Sequence, residues 1–406
     1  QERKLREHFI EFVLVDSRPL FDPLHQRRKQ LEERRQAIEK AAPTTLIFRE
    51  KSPPKPAFVL HRGEYDQPRE PVTRRTPLAL PPMPKGAPNN RLGLAQWLVA
   101  PEHPLTSRVA VNFFWQQLFG TGLVKTAEDF GVQGERPSHP ELLDWLAVDF
   151  RESGWDVKRL IKMMVMSATY RQSSRVRDDL RVRDPENRLL ARGPRFRLDA
   201  EMLRDQALAV SGLLVEKLGG PSVKPPQPDG LWFAVGYTGS NTVRFTPDHG
   251  PDKVHRRTLY TFIKRTAPPP QLSTFDAPSR ESACMRRERT NTPLQALLLM
   301  NDPQYVEAAR ALATRAMREA GKEPAAIAAR MFQLATCRSP RADESSHLLQ
   351  LFEAQRKHYA EHPKAADELL AVGEFPNDKQ LPQAELAAWT IVANLILNLD
   401  EVVTKN

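Results

Sequence analysis

The sequence of 406 residues has only two cysteines, Cys284 and Cys337. Two cysteines can form at most one bridge, so a disulfide scaffold is excluded, while one bridge and two free thiols both remain open. Neither cysteine belongs to a CxxCH haem-attachment motif or to a CxxC pair. No cofactor is therefore predicted to be held by this chain.

Long hydrophobic runs are also missing. The first residues, QERKLREHFIEFV, are charged and lack the apolar core of a signal peptide, so export cannot be inferred from them. The longest apolar run, residues 386–399, is shorter than the about 20 residues that a membrane helix needs, and Asn394 and Asn398 interrupt it. It is predicted to form a buried helix near the C-terminus, and no membrane span is expected.

The sequence has no recognisable catalytic motif and no repeat of fixed period. It does have 40% hydrophobic residues, enough for a substantial core, and 36 prolines, which predict many loops and helix boundaries. The clearest helix signals lie in residues 90–174. Ser138 with Glu141 predicts a capping box, Asp156 predicts the N-cap of the next helix, and Thr106 predicts the start of an earlier one.

These patterns predict a mainly α fold, a multi-helix globular body with long proline-rich loops and a few short strands. The best strand is expected at residues 257–264, RTLYTFIK, because of its β-branched and aromatic content. Four segments are predicted: a helical segment ending an upstream domain (1–42), a proline-rich extended linker (43–88), a main helical domain with a basic strand-loop region (89–323), and a C-terminal helical part packed on it (324–406).

Positive charge is concentrated in two places. The net charge is +10, while residues 171–197 hold nine arginines against four acids and residues 253–289 hold nine Lys or Arg against three acids. Local surpluses of this kind indicate an anionic partner, although arginines that pair with carboxylates elsewhere would give the same count. No basic-aromatic nucleic-acid module is present, so nucleic acid is not the expected partner.

The second basic segment is the candidate binding surface. Arginine captures carboxylate, sulfate or phosphate groups in a bidentate manner, and a neighbouring aspartate can orient one guanidinium. The alternative is an internal ion-pair network that consumes these charges. The predicted ligand-binding residues are Arg256, Arg257, Lys264, Arg265, Asp276, Arg280 and Arg287.

Three catalytic or metal-binding alternatives are weaker. Glu128, Asp129 and Asp276 could act as paired carboxylates of a polysaccharide hydrolase, which requires them to face one another across a cleft. Cys284 lies among arginines but has no histidine near it in the sequence. The segment His249 to His255, with Asp248 and Asp252, has irregular spacing for a metal site.

Several long strings make the chain resemble a known family. VKTAEDFGVQGERPSHPELLDWLA, KRTAPPPQLSTFDAPSRES and RRERTNTPLQALLLMNDP are similar to the C-terminal domain of unknown function of planctomycete c-type cytochrome proteins (the PSD-one type). The resemblance covers nearly the whole chain. Four positions depart from the family's usual residues: Arg69, Phe113, Pro226 and His255.

The resemblance implies an extracytoplasmic location, periplasmic or at the cell surface, and an upstream haem c module in the same protein as a partner. It implies no reaction and no catalytic residues, because the family has none assigned. The favoured hypothesis is a non-catalytic module that binds an anionic ligand, such as an anionic polysaccharide, or a partner domain. The alternative is a hydrolase or oxidoreductase acting on polysaccharide.

Overall fold

The computed structural model describes residues 2–42, 44–51, 53–237, 239 and 242–405. Helices account for 52% of the chain and the strands are short, so the predicted mainly α fold is confirmed. The helices of the described residues are α1 (Glu2–His8), α2 (Arg18–Ala41), α3 (Arg91–Leu98), α4 (Thr106–Phe119), α5 (Pro140–Glu152), α6 (Val157–Met166), α7 (Asp178–Arg183), α8 (Ala200–Ser211), α9 (Leu231–Val235), α10 (Pro251–Val254), α11 (Pro270–Ser273), α12 (Pro293–Asn301), α13 (Pro303–Ala320), α14 (Pro324–Thr336), α15 (Ala342–Glu361), α16 (Pro363–Leu370), α17 (Gln383–Leu397) and α18 (Asp400–Val403).

Many prolines stand at helix starts rather than inside helices. Helices α5, α10, α11, α12, α13, α14 and α16 each begin with proline. Proline fits there because its fixed φ suits the first turn and its missing N–H has no intrahelical partner at that position. The high proline content is thus compatible with a helical protein.

The chain divides into two compact units, Gln1–Trp97 and Leu98–Asn406. The segment bounds predicted from the sequence stay a prediction. In the first unit, β1 (Ala57–Leu60) pairs antiparallel with β2 (Pro68–Val72). The sequence suggests strand-like pieces at 44–48 and 57–60; the second forms β1, and the first forms no strand. Trp97 is buried, and its Nε1 donates to the carbonyl oxygen of Pro81 at 2.7 Å.

The second unit has two hydrophobic cores. The larger one joins α8 and α12 to the C-terminal helices, and α17 lies at its centre with Trp389 fully buried and stacked on Phe352 of α15 (ring centroids 3.8 Å apart). The run at 386–399 is therefore the buried helix that the sequence predicts. The smaller core joins α4, α5 and α6. A two-residue ladder, β3 (Phe196–Arg197) with β4 (Thr404–Lys405), adds the only sheet pairing between named strands of this unit in the described residues.

The strand predicted at 257–264 is wrong. Thr258–Tyr260 form a 3-10 turn, and the segment has only isolated bridges, including Val223 with Thr261. Tyr260 and Phe262 bond to the backbone of Val223, and helix α8 holds Thr258 and the residues just before the segment. Asp205 accepts from the amide (2.7 Å) and hydroxyl (2.6 Å) of Thr258, while the buried Arg204 donates to the carbonyl oxygens of Val254 (2.6 Å) and Arg256 (2.9 Å).

Two helix boundaries also differ from prediction. His139, not Ser138, precedes α5, and no side chain caps this helix; Ser138 Oγ lies 3.0 Å from His139 Nδ1 instead. In the sequence, the pair Gly219-Gly220 predicts a helix end, yet α8 ends earlier, at Gly212, whose left-handed φ of 83° closes it. Residues 221–252 are rich in Pro, Gly, Asp and Asn and predict a long loop; they contain the short helix α9, and Thr238, Ser240 and Asn241 lie outside the described residues.

Candidate functional site

The structure separates the seven predicted ligand-binding residues into two groups. Arg280 and Arg287 share one carboxylate, and Asp276 bonds to a residue just beyond them. Arg256, Arg257, Lys264 and Arg265 lie near the 3-10 turn of residues 258–260. No contact between the two groups is present among the described residues, so the single surface expected from the sequence is not formed as one cluster.

Arg256 and Lys264 have structural partners. Arg256 is buried; its guanidinium donates to the carbonyl oxygens of Lys217 (3.0 Å), Gly219 (2.6 Å) and Pro221 (3.1 Å) and lies 3.7 Å from the Tyr260 ring centroid. Lys264 Nζ donates to the Thr242 carbonyl oxygen at 2.7 Å and lies over the Trp232 ring. Both residues hold the loop that follows α8.

Arg257 and Arg265 are exposed, and in the described part of the chain their side chains have no hydrogen bond or ion pair. They are accessible cations, yet they line none of the cavities found around them. They provide charge at the surface without a shaped site.

Arg280 and Arg287 converge on Glu201 of α8. Arg287 binds it in a bidentate manner (2.5 and 3.1 Å), and Arg280 Nη2 lies 3.4 Å from Glu201 Oε1. Burial opposes the ionisation of Glu201, but the bonds from Arg287 outweigh it and lower the pKa of this carboxyl. Asp276, with φ of 59°, accepts from the amide and hydroxyl of Thr290. It orients the chain before α12 rather than a guanidinium.

Three adjoining cavities connect this pair with the Arg-rich segment 171–197. Their volumes are about 390, 190 and 310 Å³; the first two share residues 120–122 and Arg289, and the last two share Gln117 and Arg287. We call this surface the arginine trough. Its only acidic lining residue in the described chain is Glu186, whereas its cations are Lys125, Arg188, Arg192, Arg195, Arg280, Arg286, Arg287 and Arg289.

The trough begins at the C-terminus of α4. Gly120 ends that helix with φ of 82°, and the following residues turn back so that Asn112 clamps Val124 through both of its backbone groups (2.9 and 3.0 Å). A Cβ on Gly122 would lie 2.6 Å from the Asn112 side chain and from the Val124 carbonyl oxygen. The close turn therefore depends on glycine at this position.

Carbonyl oxygens, rather than carboxylates, hold two of the trough arginines. Arg188 donates to Gly122 (2.8 Å) and Leu123 (3.1 Å), and Arg192 donates to Asp184 (3.0 Å) and Pro185 (2.8 Å), in each case through backbone oxygens. Neutral acceptors fix a guanidinium in place without an ion pair. Neither cation forms an ion pair in the described chain, although the charge of Arg188 adds to the bond from Lys125 in lowering the pKa of Glu186.

The other trough cations are partly compensated. Arg289 donates to the Gly120 carbonyl oxygen (3.1 Å), and its Nε lies 3.6 Å from Asp199 Oδ1; burial lowers the pKa of its guanidinium, which stays charged at neutral pH. Ion pairs join Lys125 to Glu186, Arg286 to Glu128 and Arg195 to Asp400. The carboxylates in these three pairs are exposed, so an anionic ligand can compete for their cations.

Six of the eight trough cations were not among the residues predicted to bind ligand. They are Lys125, Arg188, Arg192, Arg195, Arg286 and Arg289. The signal was present in part, since the arginine surplus of 171–197 was evident. What the sequence did not reveal is that this segment lies against residues 286–289.

The carboxylates and the thiol of the catalytic alternatives have other partners. Glu128 pairs with Arg286 at 3.0 Å, and Asp129 Oδ1 accepts from the Gly131 amide at 2.6 Å. Cys284 is an exposed free thiol, and its Sγ lies 3.1 Å from the Arg286 carbonyl oxygen. Cys337 is also free, so the two cysteines are separate thiols and not a disulfide bridge.

The two histidines of the suggested metal segment pair with different carboxylates. His249 Nδ1 lies 2.6 Å from Glu374 Oε1, and the Nε2 of the buried His255 lies 3.2 Å from Glu307 Oε1. Burial opposes ionisation of Glu307, but His255 and the amides of Glu374 and Phe375 outweigh it and lower the pKa of Glu307. Among the described residues, no three His, Cys, Asp or Glu side chains are grouped to hold a metal.

None of the helices in the described ranges is long and apolar enough to cross a membrane. No curated protein and no solved structure matches the chain. Residues 90–352 match the family PSD1, described as a protein of unknown function (DUF1553). This match covers more than half of the chain and includes every cation of the trough, and the chain therefore belongs to the PSD1 (DUF1553) family.

Proposed function

We propose that this chain is a non-catalytic binding module for an anionic ligand and that the arginine trough is its site. The observation that carries the proposal is the convergence of both Arg-rich segments on one line of cavities with eight cations and one lining carboxylate. A cleft lined by charge of one sign focuses the field and raises the local concentration of opposite charge.

The ligand class follows from the shape and chemistry of the trough. Guanidinium groups bind carboxylate and sulfate with two parallel hydrogen bonds. The three cavities together are larger than a single carboxylate or sulfate ion. A carboxylated or sulfated glycan places such groups at intervals along a chain, so it can engage Arg188 and Arg192 at one end and Arg280 at the other. The resemblance to planctomycete cytochrome proteins supports an extracytoplasmic setting, where such polysaccharides are accessible, and an upstream haem c domain as a partner.

The test compares two pairs of exposed arginines. Arg280→Ala with Arg286→Ala should weaken binding of a sulfated oligosaccharide about tenfold, since each exposed charge pair contributes about 0.2–1 kcal/mol and two are lost at once. The matched control, Arg257→Ala with Arg265→Ala, removes the same charge outside the trough and should change affinity less than twofold. Isothermal titration calorimetry at two salt concentrations measures both, and affinity should fall as salt rises.

A third variant works in the opposite direction. Glu201→Gln removes the carboxylate that occupies Arg280 and Arg287, so it should raise glycan affinity several-fold. Equal losses in both arginine pairs, or no binding by the unaltered chain, would overturn the proposal. Release of new reducing ends from the same glycan would instead favour the polysaccharide hydrolase.

A further inference from the structure

A second basic cavity lies entirely within the first unit. Its volume is about 610 Å³, and it lies between residues 49–51 with Lys55, residues 74–76 and the start of α3. Six of its lining residues are cationic, and Glu50 is its only lining carboxylate within the described residues. The cations are Arg49, Lys51, Lys55, Arg74, Arg75 and Arg91.

Glu50 is already fully engaged. It accepts from the amide (3.3 Å) and the Nε (2.9 Å) of Arg91, and Arg74 Nη1 lies 3.6 Å from its other oxygen. These bonds to Arg91 hold the pKa of Glu50 below its usual range. The carboxylate therefore fixes two cations in the wall of the cavity and has little capacity left to neutralise others.

The wall around Glu50 is held by further local bonds. Arg74 and Asn89 exchange bonds between side chain and backbone (3.1 and 3.3 Å), and Arg91 lies 5.1 Å from the Phe48 ring centroid. Asn90 Oδ1 accepts from the amides of Leu92 and Gly93, which already caps α3. The groups of this cavity that are available to a ligand are therefore its cationic side chains, and not the backbone amides at the start of α3.

Four cations of the cavity are uncompensated. The side chains of Arg49, Lys51, Lys55 and Arg75 have no hydrogen bond or ion pair with any residue that the structure describes. Like charges around one cavity repel one another, and a bound anion removes that cost. Lysine ammonium groups act as point charges that suit tetrahedral oxyanions, and Met83 and Leu94 add apolar wall.

We propose that this cavity binds a compact polyvalent anion carrying two or more phosphate or sulfate groups. The site is separate from the arginine trough and does not depend on the function proposed for it. Four free cations exceed what one carboxylate can neutralise, which is why the ligand carries several charges. Phosphate and sulfate share the tetrahedral oxyanion that the cavity recognises.

The test uses the full chain and inorganic tripolyphosphate in isothermal titration calorimetry at low salt. Lys51→Gln, Lys55→Gln and Arg75→Gln together should weaken binding about tenfold or more. The matched control is Arg27→Gln, Arg28→Gln and Lys29→Gln on α2, which removes the same charge from exposed positions and should change affinity less than twofold. Equal loss in both variants, or no loss in either, overturns the proposal.

Two further measurements separate this site from the trough. The variant Arg280→Ala with Arg286→Ala should retain tripolyphosphate binding, and loss there with retention in the Lys51 variant would place the anion in the trough instead. Acetylation footprinting of the unaltered chain should show tripolyphosphate protecting Lys51 and Lys55 but not Lys29. To identify the source of the oxyanion without interference from the trough, an oligosaccharide sulfated at several positions is titrated into the Arg280→Ala, Arg286→Ala variant with and without the Lys51, Lys55 and Arg75 substitutions. Residual binding that the second set removes identifies a sulfated sugar as a ligand of the cavity, whereas unchanged binding leaves a phosphate compound.

Discussion

Arg338 connects three parts of the C-terminal region through two carboxylates. It donates to both oxygens of Glu344 on α15 (2.8 Å each) and to both oxygens of Glu401 on α18 (2.8 and 2.6 Å). The bonds from Arg338 lower the pKa of Glu344 to about 2. A carboxyl whose folded pKa lies below its unfolded value stabilises the protein above the unfolded pKa, and it loses that contribution as pH falls toward the folded pKa.

Glu344→Gln should therefore lower the free energy of unfolding by about 1 kcal/mol at pH 7, a value reduced for the partial exposure of the pair. The difference from the unaltered chain should shrink between pH 4.5 and pH 2, the interval between the ordinary and the folded pKa. Urea titrations across this range measure it. Glu353→Gln, which removes an exposed carboxylate paired with Arg356, is the control and should differ by less than half as much. A constant difference at all pH values would contradict the assignment.

At the scale of the element, two helix starts that look equally well signalled in the sequence behave differently. Asp156 accepts from the Arg159 amide at 3.0 Å and caps α6, whereas Ser138 precedes α5 by two residues and caps nothing. Asp156→Ala should cost about 1 kcal/mol and Ser138→Ala less than half of that, measured as shifts of the urea midpoint. Equal costs would show that Ser138 caps α5 in solution.

Local sequence signals were sufficient to predict a helix start where the capping group lies next to the helix that it caps. Asp156, Thr292 before Pro293, and Asp302 before Pro303 each signal a helix start in the sequence. A helix begins at each of them, and the capping bonds there span no more than three residues. The stretch 257–264 shows the limit of such reasoning. Its composition favours a strand, but Thr258 near its start bonds to Arg204 and Asp205, about 50 residues earlier, and no local pattern reveals these partners.

Over the whole molecule, the same limit applies to the candidate site. The charge surpluses of 171–197 and 253–289 could be counted in the sequence. In the structure, only residues 280–289 of the second segment lie against the first, and Arg256 is buried under the loop after α8. This separation depends on the packing of α8 between the two parts, which the sequence does not show. The helical class could thus be predicted, but only two of the eight trough cations, Arg280 and Arg287, were among the predicted binding residues.

The extent of the family match and the extent of the larger core do not coincide. The match ends at residue 352, within α15, whereas α17 (Gln383–Leu397) fills the centre of that core with Leu386, Trp389 and Ile396 fully buried. Without α17, the apolar faces of α13 and α15 would be exposed to water, at a cost of about 25 cal/mol for each Å² of apolar surface. The folding unit is therefore expected to extend beyond the matched region.

A fragment of residues 98–406 should fold, giving a helical circular dichroism spectrum and a cooperative thermal transition, because both cores of the second unit lie within it. It should bind the sulfated oligosaccharide within about twofold of the full chain and lose the tripolyphosphate site, which lies in residues 49–94. The control fragment, residues 98–352, keeps the same start and every lining residue of the trough but lacks the second half of α15 and all of α16, α17, α18 and β4. It should aggregate or melt without a cooperative transition. A cooperative, glycan-binding fragment 98–352 would show that α17 is dispensable and that the smaller core alone supports the site.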